Sequence, residues 1–138
     1  MYFAAKGLRP GANVIATDAC VPISRLADCV TETKADMDRL GLLAPIVGHV
    51  GDGNFHVSVL LDTNDPREMA AAREGIERLA ERAIAMDGTC TGEHGIGQGK
   101  MKYLEQEVGS AVDVMRLIKN TLDPLNIMNP GKIIYMPG

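Results

Sequence analysis

The 138-residue sequence contains no tryptophan, and aromatic residues make up only 4% of it. Hydrophobic residues nevertheless account for 46% and charged residues for 23%, proportions typical of a globular chain and not of a disordered one. We therefore expect a core of aliphatic side chains in which the eight methionines fill gaps. The length suits one domain and excludes most complete cofactor enzymes, so residues 1–138 are expected to form a single domain.

The sequence also lacks an excess of positive charge. Its 14 Lys and Arg residues are outnumbered by 18 Asp and Glu residues, and neither sign forms a long run. Nucleic acids and anionic membranes attract clusters of basic residues, so neither class of partner is expected. No apolar stretch reaches the about 20 residues that a membrane-spanning helix needs, and the first residues do not resemble a secretory signal. The expected location is cytoplasmic, with peripheral attachment to a membrane left open.

Cysteine is scarce as well. The three residues, Cys20, Cys29 and Cys90, form no Cys-x-x-Cys pair. An odd number of cysteines without a signal sequence is typical of a reducing compartment, where thiols stay free. The cysteines are expected to be small core or loop residues.

The hydrophobic pattern predicts an α+β fold. Strands are expected at 12–17, 45–50, 55–61 and, briefly, 89–91, and helices at 22–40, 66–86, 101–107 and 110–122. The first six of these in chain order match a ferredoxin-like split β-α-β unit, in which an antiparallel sheet of order 4-1-3-2 carries helices on one face. The turn after the second strand and the glycine-rich loop after the fourth then emerge at one edge of the sheet.

Two of the only three histidines flank the turn between the second and third strands. If Asp52 and Gly53 form a two-residue hairpin loop, His49 lies directly opposite His56. Facing residues have Cβ atoms about 4.5–5.5 Å apart, close enough for two imidazoles to bind one metal ion. The alternative is a pair of hydrogen-bonded surface histidines.

The third histidine lies in the glycine-rich loop, directly after a carboxylate, in Gly-Glu93-His94-Gly. Two imidazoles and a carboxylate suit zinc, manganese or ferrous iron and leave positions open for substrate. Adjacent side chains point apart on an extended backbone, so only one of the two is expected to bind the metal. We assign Glu93 to the metal and His94 to general-base catalysis, because imidazole takes up protons near neutral pH.

This assignment requires a particular path for the loop. In the 4-1-3-2 order Glu93 starts about 10 Å from His56, at about 4.8 Å per strand. The loop must therefore fold back over the edge of the sheet, which the glycines at 92, 95, 97 and 99 permit. The alternative is that these glycines only make a mobile surface loop.

Other candidate features do not indicate chemistry. The segment 95–100, Gly-Ile-Gly-Gln-Gly-Lys, lacks the spacing of a phosphate loop, which would need glycine at His94 and Ser or Thr at Met101. Asp18 and Arg25 flank the start of the first predicted helix, where we expect a helix cap or a surface ion pair.

Three segments together resemble the C-terminal domain of FAD-linked oxidases. They are His49-Val-Gly-Asp-Gly-Asn-Phe-His56, Gly88-Thr-Cys-Thr-Gly-Glu-His-Gly-Ile-Gly97 and Asn129-Pro-Gly-Lys132, and the resemblance covers nearly the whole chain. The family includes D-lactate dehydrogenases, glycolate oxidase flavoprotein subunits and D-2-hydroxyglutarate dehydrogenases of the vanillyl-alcohol oxidase superfamily. Residues 16–25 also look like the equivalent stretch of D-lactate dehydrogenases.

The resemblance implies a flavoenzyme that oxidises a D-2-hydroxy acid, such as D-lactate or glycolate, to the 2-oxo acid. His49, His56 and Glu93 would hold a divalent metal, zinc, manganese or iron, that binds the substrate's hydroxyl and carboxylate. His94 would contact the substrate and abstract its hydroxyl proton as hydride leaves for FAD. Asn54 would either support the metal ligands from behind or face the site and bind the substrate, and the segment around Asn129 would approach the flavin.

The sequence departs from the family in its extent. The N-terminal FAD-binding domain is missing, as is an arginine that holds the substrate carboxylate in relatives, so we expect no flavin turnover from this chain alone. Ala16 stands where D-2-hydroxyglutarate dehydrogenases have lysine, which favours a lactate-like or glycolate-like substrate.

The face that met the missing domain is expected to be apolar and open to self-association. The alternative function is a free-standing divalent-metal-binding module that acts as a regulator or partner subunit.

Overall fold

The computed structural model describes residues 2–136 and divides into two compact units, the first ending at Glu93 and the second beginning at His94. The expectation of a single domain over 1–138 stays a prediction. The first unit contains α1 (Tyr2–Leu8), β1 (Asn13–Cys20), α2 (Ile23–Arg39), β2 (Ile46–His49), a 3-10 turn (Val50–Asp52), β3 (Asn54–Leu61) and α3 (Pro66–Ala85). The second contains α4 (Met101–Val108) and α5 (Ala111–Leu122).

The first unit has an antiparallel sheet of order β1-β3-β2, which confirms the α+β class and the predicted neighbours of the first three strands. The predicted fourth strand is reduced to one bridge between Cys20 and Thr89, at the expected edge beside β1. The Thr89 hydroxyl accepts a hydrogen bond from the Thr91 amide at 3.2 Å. The Thr91 amide is thus bonded to a nearby side chain, whereas in a longer strand it could bond to a neighbouring strand.

Helices α2 and α3 cover one face of the sheet. Pro66 opens α3, and the Asp65 side chain caps it by accepting from the Arg67 amide. The core on this face is aliphatic, as the shortage of aromatics predicts, and includes Met37, Phe55, Val57, Val59, Leu61 and Leu79. The sequence pattern did not predict α1, whose Ala5 packs with Ala12 and Leu60 in a separate small cluster. Leu60 is out of phase with the four core residues of β3, so α1 lies over the other face.

The hairpin between β2 and β3 differs from the prediction. His49 pairs with Asn54 and Val47 pairs with His56, so the expected direct pairing of His49 with His56 is wrong. The chain turns through the 3-10 segment and Gly53, a four-residue connection in place of two. Gly53 has a φ of +74°, and a Cβ atom there would lie 2.0 Å from the carbonyl oxygen of Val21. Glycine is therefore required at the end of this longer turn.

Candidate metal-binding site

The candidate ligands lie on the sheet face opposite α2 and α3. Side chains alternate between faces along a strand, so a register shift by an even number of residues preserves the face. His49 is opposite Asn54 and His56 lies two residues further along β3, which leaves both histidines on one face as diagonal neighbours. On the other side of β3, Asp18 is paired with His56. The predicted clustering of the two histidines is therefore kept despite the wrong register.

Three ligand atoms converge at this face, one each from His49, His56 and Glu93, and all lie within 4.8 Å of one another. The His56 Nε2 atom is 3.0 Å from the Glu93 Oε1 atom. The two imidazole rings are perpendicular, with centroids 5.9 Å apart. His56 is buried, whereas His49 and Glu93 are exposed.

This donor set fits a divalent metal ion. Ligands bound at about 2.0–2.2 Å lie up to about 4 Å apart on one ion, so only a small side-chain adjustment is needed. Two imidazoles and one carboxylate are the ligands of reactive sites that keep positions open for water or substrate. The exposure of His49 and Glu93 leaves the open positions accessible.

Hydrogen bonds join Asp18 to the segment that ends at Glu93. Asp18 is only 1% exposed, and its Oδ2 atom accepts a hydrogen bond from the Glu93 amide at 2.6 Å. The Thr91 hydroxyl donates to Oδ1 at 3.5 Å. The expectation that Asp18 caps a helix or forms a surface ion pair is wrong, because Pro22 occupies the N-cap of α2 without a side-chain hydrogen bond. One feature of the sequence argues against a helix cap: Asp18 stands four residues before Pro22. That distance places it in β1, which continues to Cys20.

Asn54 shares the face of the candidate ligands and is 7% exposed. A Cβ atom at position 92 would lie 2.4 Å from Asn54 Nδ2, so a larger residue there would require the Asn54 side chain to move. Asn54 Oδ1 is buried and has no hydrogen-bond partner among the described residues. Such an atom is uncommon in a folded protein and is compatible with a binding role. Contact between Asn54 and a substrate stays a prediction.

The other two predicted residues belong to the second unit. His94 is exposed and follows Glu93 directly in the chain, and Gly95 and Gly97 after it have φ values of +78° and +53°. Asn129 is exposed with a φ of +48°, at the end of a loop whose Ile127 and Met128 amides donate to the Asp123 carboxylate. The Lys119 ammonium, together with these amides, holds the pKa of Asp123 below its ordinary value.

Asn129 also lines an apolar cavity of about 380 Å³ within the second unit, between α5 and the segment that follows it. The surface of α5 and of the segment after it is also apolar. Its exposed hydrophobic residues are Val114, Leu117, Ile118, Leu122, Leu125, Ile127, Met128, Ile133 and Tyr135. An exposed apolar area of this kind is typical of a surface that another domain or chain covers.

The family described as FAD linked oxidases, C-terminal domain, matches residues 2–133. The chain belongs to this family. It is 55% identical over 136 residues to a probable mitochondrial D-lactate dehydrogenase of Danio rerio, a match that covers 98% of this chain and 27% of that protein. It is 45% identical over 133 residues to a mitochondrial D-lactate dehydrogenase [cytochrome] of Arabidopsis thaliana, with 96% and 24% covered.

A bacterial relative, glycolate oxidase subunit GlcD of Bacillus subtilis, is 37% identical over 122 residues, which cover 88% of this chain and 26% of that protein. The chain therefore spans about a quarter of the length of these relatives. Among residues 2–136, no helix is long and apolar enough to cross a membrane. The three cysteines are free thiols, Cys29 and Cys90 buried and Cys20 partly exposed.

Proposed function

We propose that this chain is the substrate-binding and metal-binding part of an FAD-dependent dehydrogenase that oxidises a D-2-hydroxy acid to the 2-oxo acid. The observation that carries the proposal is the convergence of His49, His56 and Glu93 in a member of the FAD linked oxidases. Relatives named D-lactate dehydrogenase and glycolate oxidase subunit support a small hydroxy acid as substrate.

The roles follow from the chemistry of the side chains. When bound, a divalent ion lowers the pKa of the substrate hydroxyl and FAD accepts a hydride. His49, His56 and Glu93 hold the ion and leave positions for the substrate's hydroxyl and carboxylate oxygens. His94, the neighbour of Glu93 in the chain, takes the proton from the hydroxyl oxygen, and Asn54 supports the substrate.

The substrate is proposed to carry a single carboxylate. Ala16 pairs with Ser58 in the β1–β3 ladder and so lies on the face of Asp18 and His56. Ala16 is exposed and offers no positive charge to a second carboxylate. A D-lactate-like or glycolate-like molecule therefore suits this face better than a dicarboxylate.

The proposed partner is an FAD-binding domain in the same full-length protein, with the segment around Asn129 directed toward the flavin. The exposed apolar residues of α5 and the segment after it support a covering partner. In the isolated chain the same residues are expected to drive self-association, which light scattering as a function of concentration measures. The free thiols support a reducing compartment, and the cytoplasmic location stays a prediction.

Metal content tests the proposed ligands. After equilibration with Zn²⁺ or Mn²⁺ and removal of free ion, the wild-type chain is expected to retain about one ion per chain by elemental analysis. The double variant His49→Ala, His56→Ala should retain little, because it lacks both imidazole ligands. His94→Ala is the matched control and should keep the ion. Equal metal in wild type and double variant would show that the ligand assignment is wrong.

Turnover tests His94 and requires the full-length protein. His94→Ala is expected to slow D-lactate-dependent flavin reduction by about 10²–10⁴-fold with metal occupancy unchanged. Unaffected turnover would exclude the general-base role. A full-length protein that binds metal but shows no flavin reduction with any short D-2-hydroxy acid would favour the metal-binding regulatory module instead.

A further inference from the structure

Asp18 is a buried carboxylate on β1, an edge strand of the three-stranded sheet. It is 1% exposed, lies near the end of β1 and is paired in register with His56. Burying a carboxylate is unfavourable unless hydrogen bonds compensate for the lost water. The contacts of Asp18 should therefore show what it stabilises.

Those contacts lead to the segment that carries Glu93. Asp18 Oδ2 accepts from the Glu93 amide at 2.6 Å, a short bond of the charge-assisted kind, which is stronger than a bond between neutral groups. The ladder beside β1 ends at the bridge between Cys20 and Thr89, before Glu93 is reached. The Asp18 side chain thus joins β1 to a part of the backbone that strand pairing no longer holds.

The geometry links this bond to the ligand position. Glu93 Oε1 lies 3.0 Å from His56 Nε2, although the Glu93 side chain is half exposed. An exposed side chain of this length samples many rotamers, so the place where its backbone is fixed decides whether the carboxylate reaches His56. Asp18 fixes that backbone from the strand position opposite His56.

We propose that Asp18 is a positioning residue for metal binding: its carboxylate holds the Glu93 amide so that the Glu93 side chain meets the two histidines. The inference rests on the proposed metal site. Groups that orient metal ligands from outside the coordination shell typically change metal affinity by about 10–100-fold when removed.

Cobalt(II) binding to the full-length protein tests the proposal, because its visible absorption reports both affinity and ligand geometry. Asp18→Ala is expected to weaken Co²⁺ binding by about 10–100-fold and to shift the spectrum toward that of Glu93→Ala. Asp18→Asn keeps an acceptor oxygen but loses the charge, so it should give a smaller loss. Ser58→Ala, another buried polar position on the same face, is the matched control and should bind as wild type does.

The outcomes separate the two proposals. If the wild-type protein does not bind Co²⁺, the metal site itself is wrong. If wild type binds Co²⁺ and both Asp18 variants match it in affinity and spectrum, only the positioning role is overturned. A lower unfolding midpoint of the variants would not change this conclusion, because it would show a structural role alone. If Asp18→Ala does not fold, Asp18→Asn decides: weaker binding with an altered spectrum supports the role, and an unchanged affinity and spectrum overturns it.

Discussion

The two faces of β3 differ in chemistry, although both are buried and their residues alternate along one strand. Phe55, Val57, Val59 and Leu61 face α2 and α3 and belong to the main core. Asn54, His56 and Ser58 face the other way and are equally buried, yet two of them have a polar atom without a hydrogen-bond partner among the described residues. The core residues and the candidate ligand His56 therefore lie on opposite faces of one strand, separated by side-chain parity.

The largest effect should come from the core face. Phe55 is 1% exposed and among the largest fully buried side chains described. Phe55→Ala is expected to lower the free energy of unfolding by about 3–5 kcal/mol, because it removes apolar contacts and leaves a cavity. Urea denaturation measures the loss. Metal affinity of the folded fraction should be unchanged, since Phe55 points away from the ligands.

His56→Ala, at the residue next to Phe55, is expected to have the opposite pattern of effects on stability and metal binding. It should abolish metal binding while lowering the stability of the metal-free protein less than Phe55→Ala does. A Phe55→Ala protein that folds but no longer binds metal would show that the two faces are not separate.

An intermediate effect on the free energy of unfolding is expected from the ion pairs that join α2 to α3, the two helices on the core side of the sheet. Burial raises the pKa of Asp36, but hydrogen bonds from Arg78 and Arg82 outweigh it and hold that pKa below 3.8. A carboxylate with a lowered folded-state pKa contributes stability above its unfolded-state pKa, and this is lost as the pH falls through the folded-state value. Asp36→Asn should therefore cost about 1–3 kcal/mol at neutral pH and progressively less below about pH 4.

Urea unfolding of both proteins between about pH 7 and pH 3 measures this difference. A second carboxylate also contributes to the pH dependence of stability: the Arg9 guanidinium, with the Asp62 amide, lowers the pKa of Glu68 to about 2 in the folded protein, whereas the unfolded chain takes up this proton at a higher pH. Because Glu68 is present in both proteins, its contribution cancels in the comparison. A pH-independent difference would show that the arginines do not stabilise the charged form of Asp36.

The smallest effect is expected at Ser58 on the site face. Its hydroxyl is buried and lacks a partner among the described residues, so Ser58→Ala removes an unsatisfied group without removing a hydrogen bond. The change in unfolding free energy should lie within about 0.5 kcal/mol of zero or be slightly stabilising. A loss above about 1 kcal/mol would mean that the hydroxyl has a partner, such as an ordered water.

The periodicity of apolar residues was sufficient to predict the helices and the strand that pack against one another in the main core. The amphipathic patterns of α2 and α3 and the alternation in β3 reflect burial directly, and all three elements lie within a few residues of their predicted bounds. The helix α1 was not predicted, because its seven residues make only about two turns, too few for a helical period to be recognised.

The convergence of His49, His56 and Glu93 was expected from the sequence, but its geometry was not. An Asp-Gly pair favours a two-residue hairpin, and only the contact with the Val21 carbonyl shows why Gly53 instead ends a longer turn. The two histidines still lie on one face of the sheet, because the observed register differs from the predicted one by two residues. The path of Glu93 could not be derived from its own segment, since its amide donates a hydrogen bond to Asp18, 75 residues earlier in the chain.

The placement of the three candidate ligands has a consequence for folding as well as for binding. An ion held by His56 and Glu93 would close a loop that contains the whole of α3 and so act as a removable cross-link. The unfolded chain holds these ligands far apart and would bind the ion weakly, so the folding equilibrium would depend on the concentration of free metal. In a protein whose cysteines are all free, coordination would supply the kind of restraint that a disulfide supplies elsewhere.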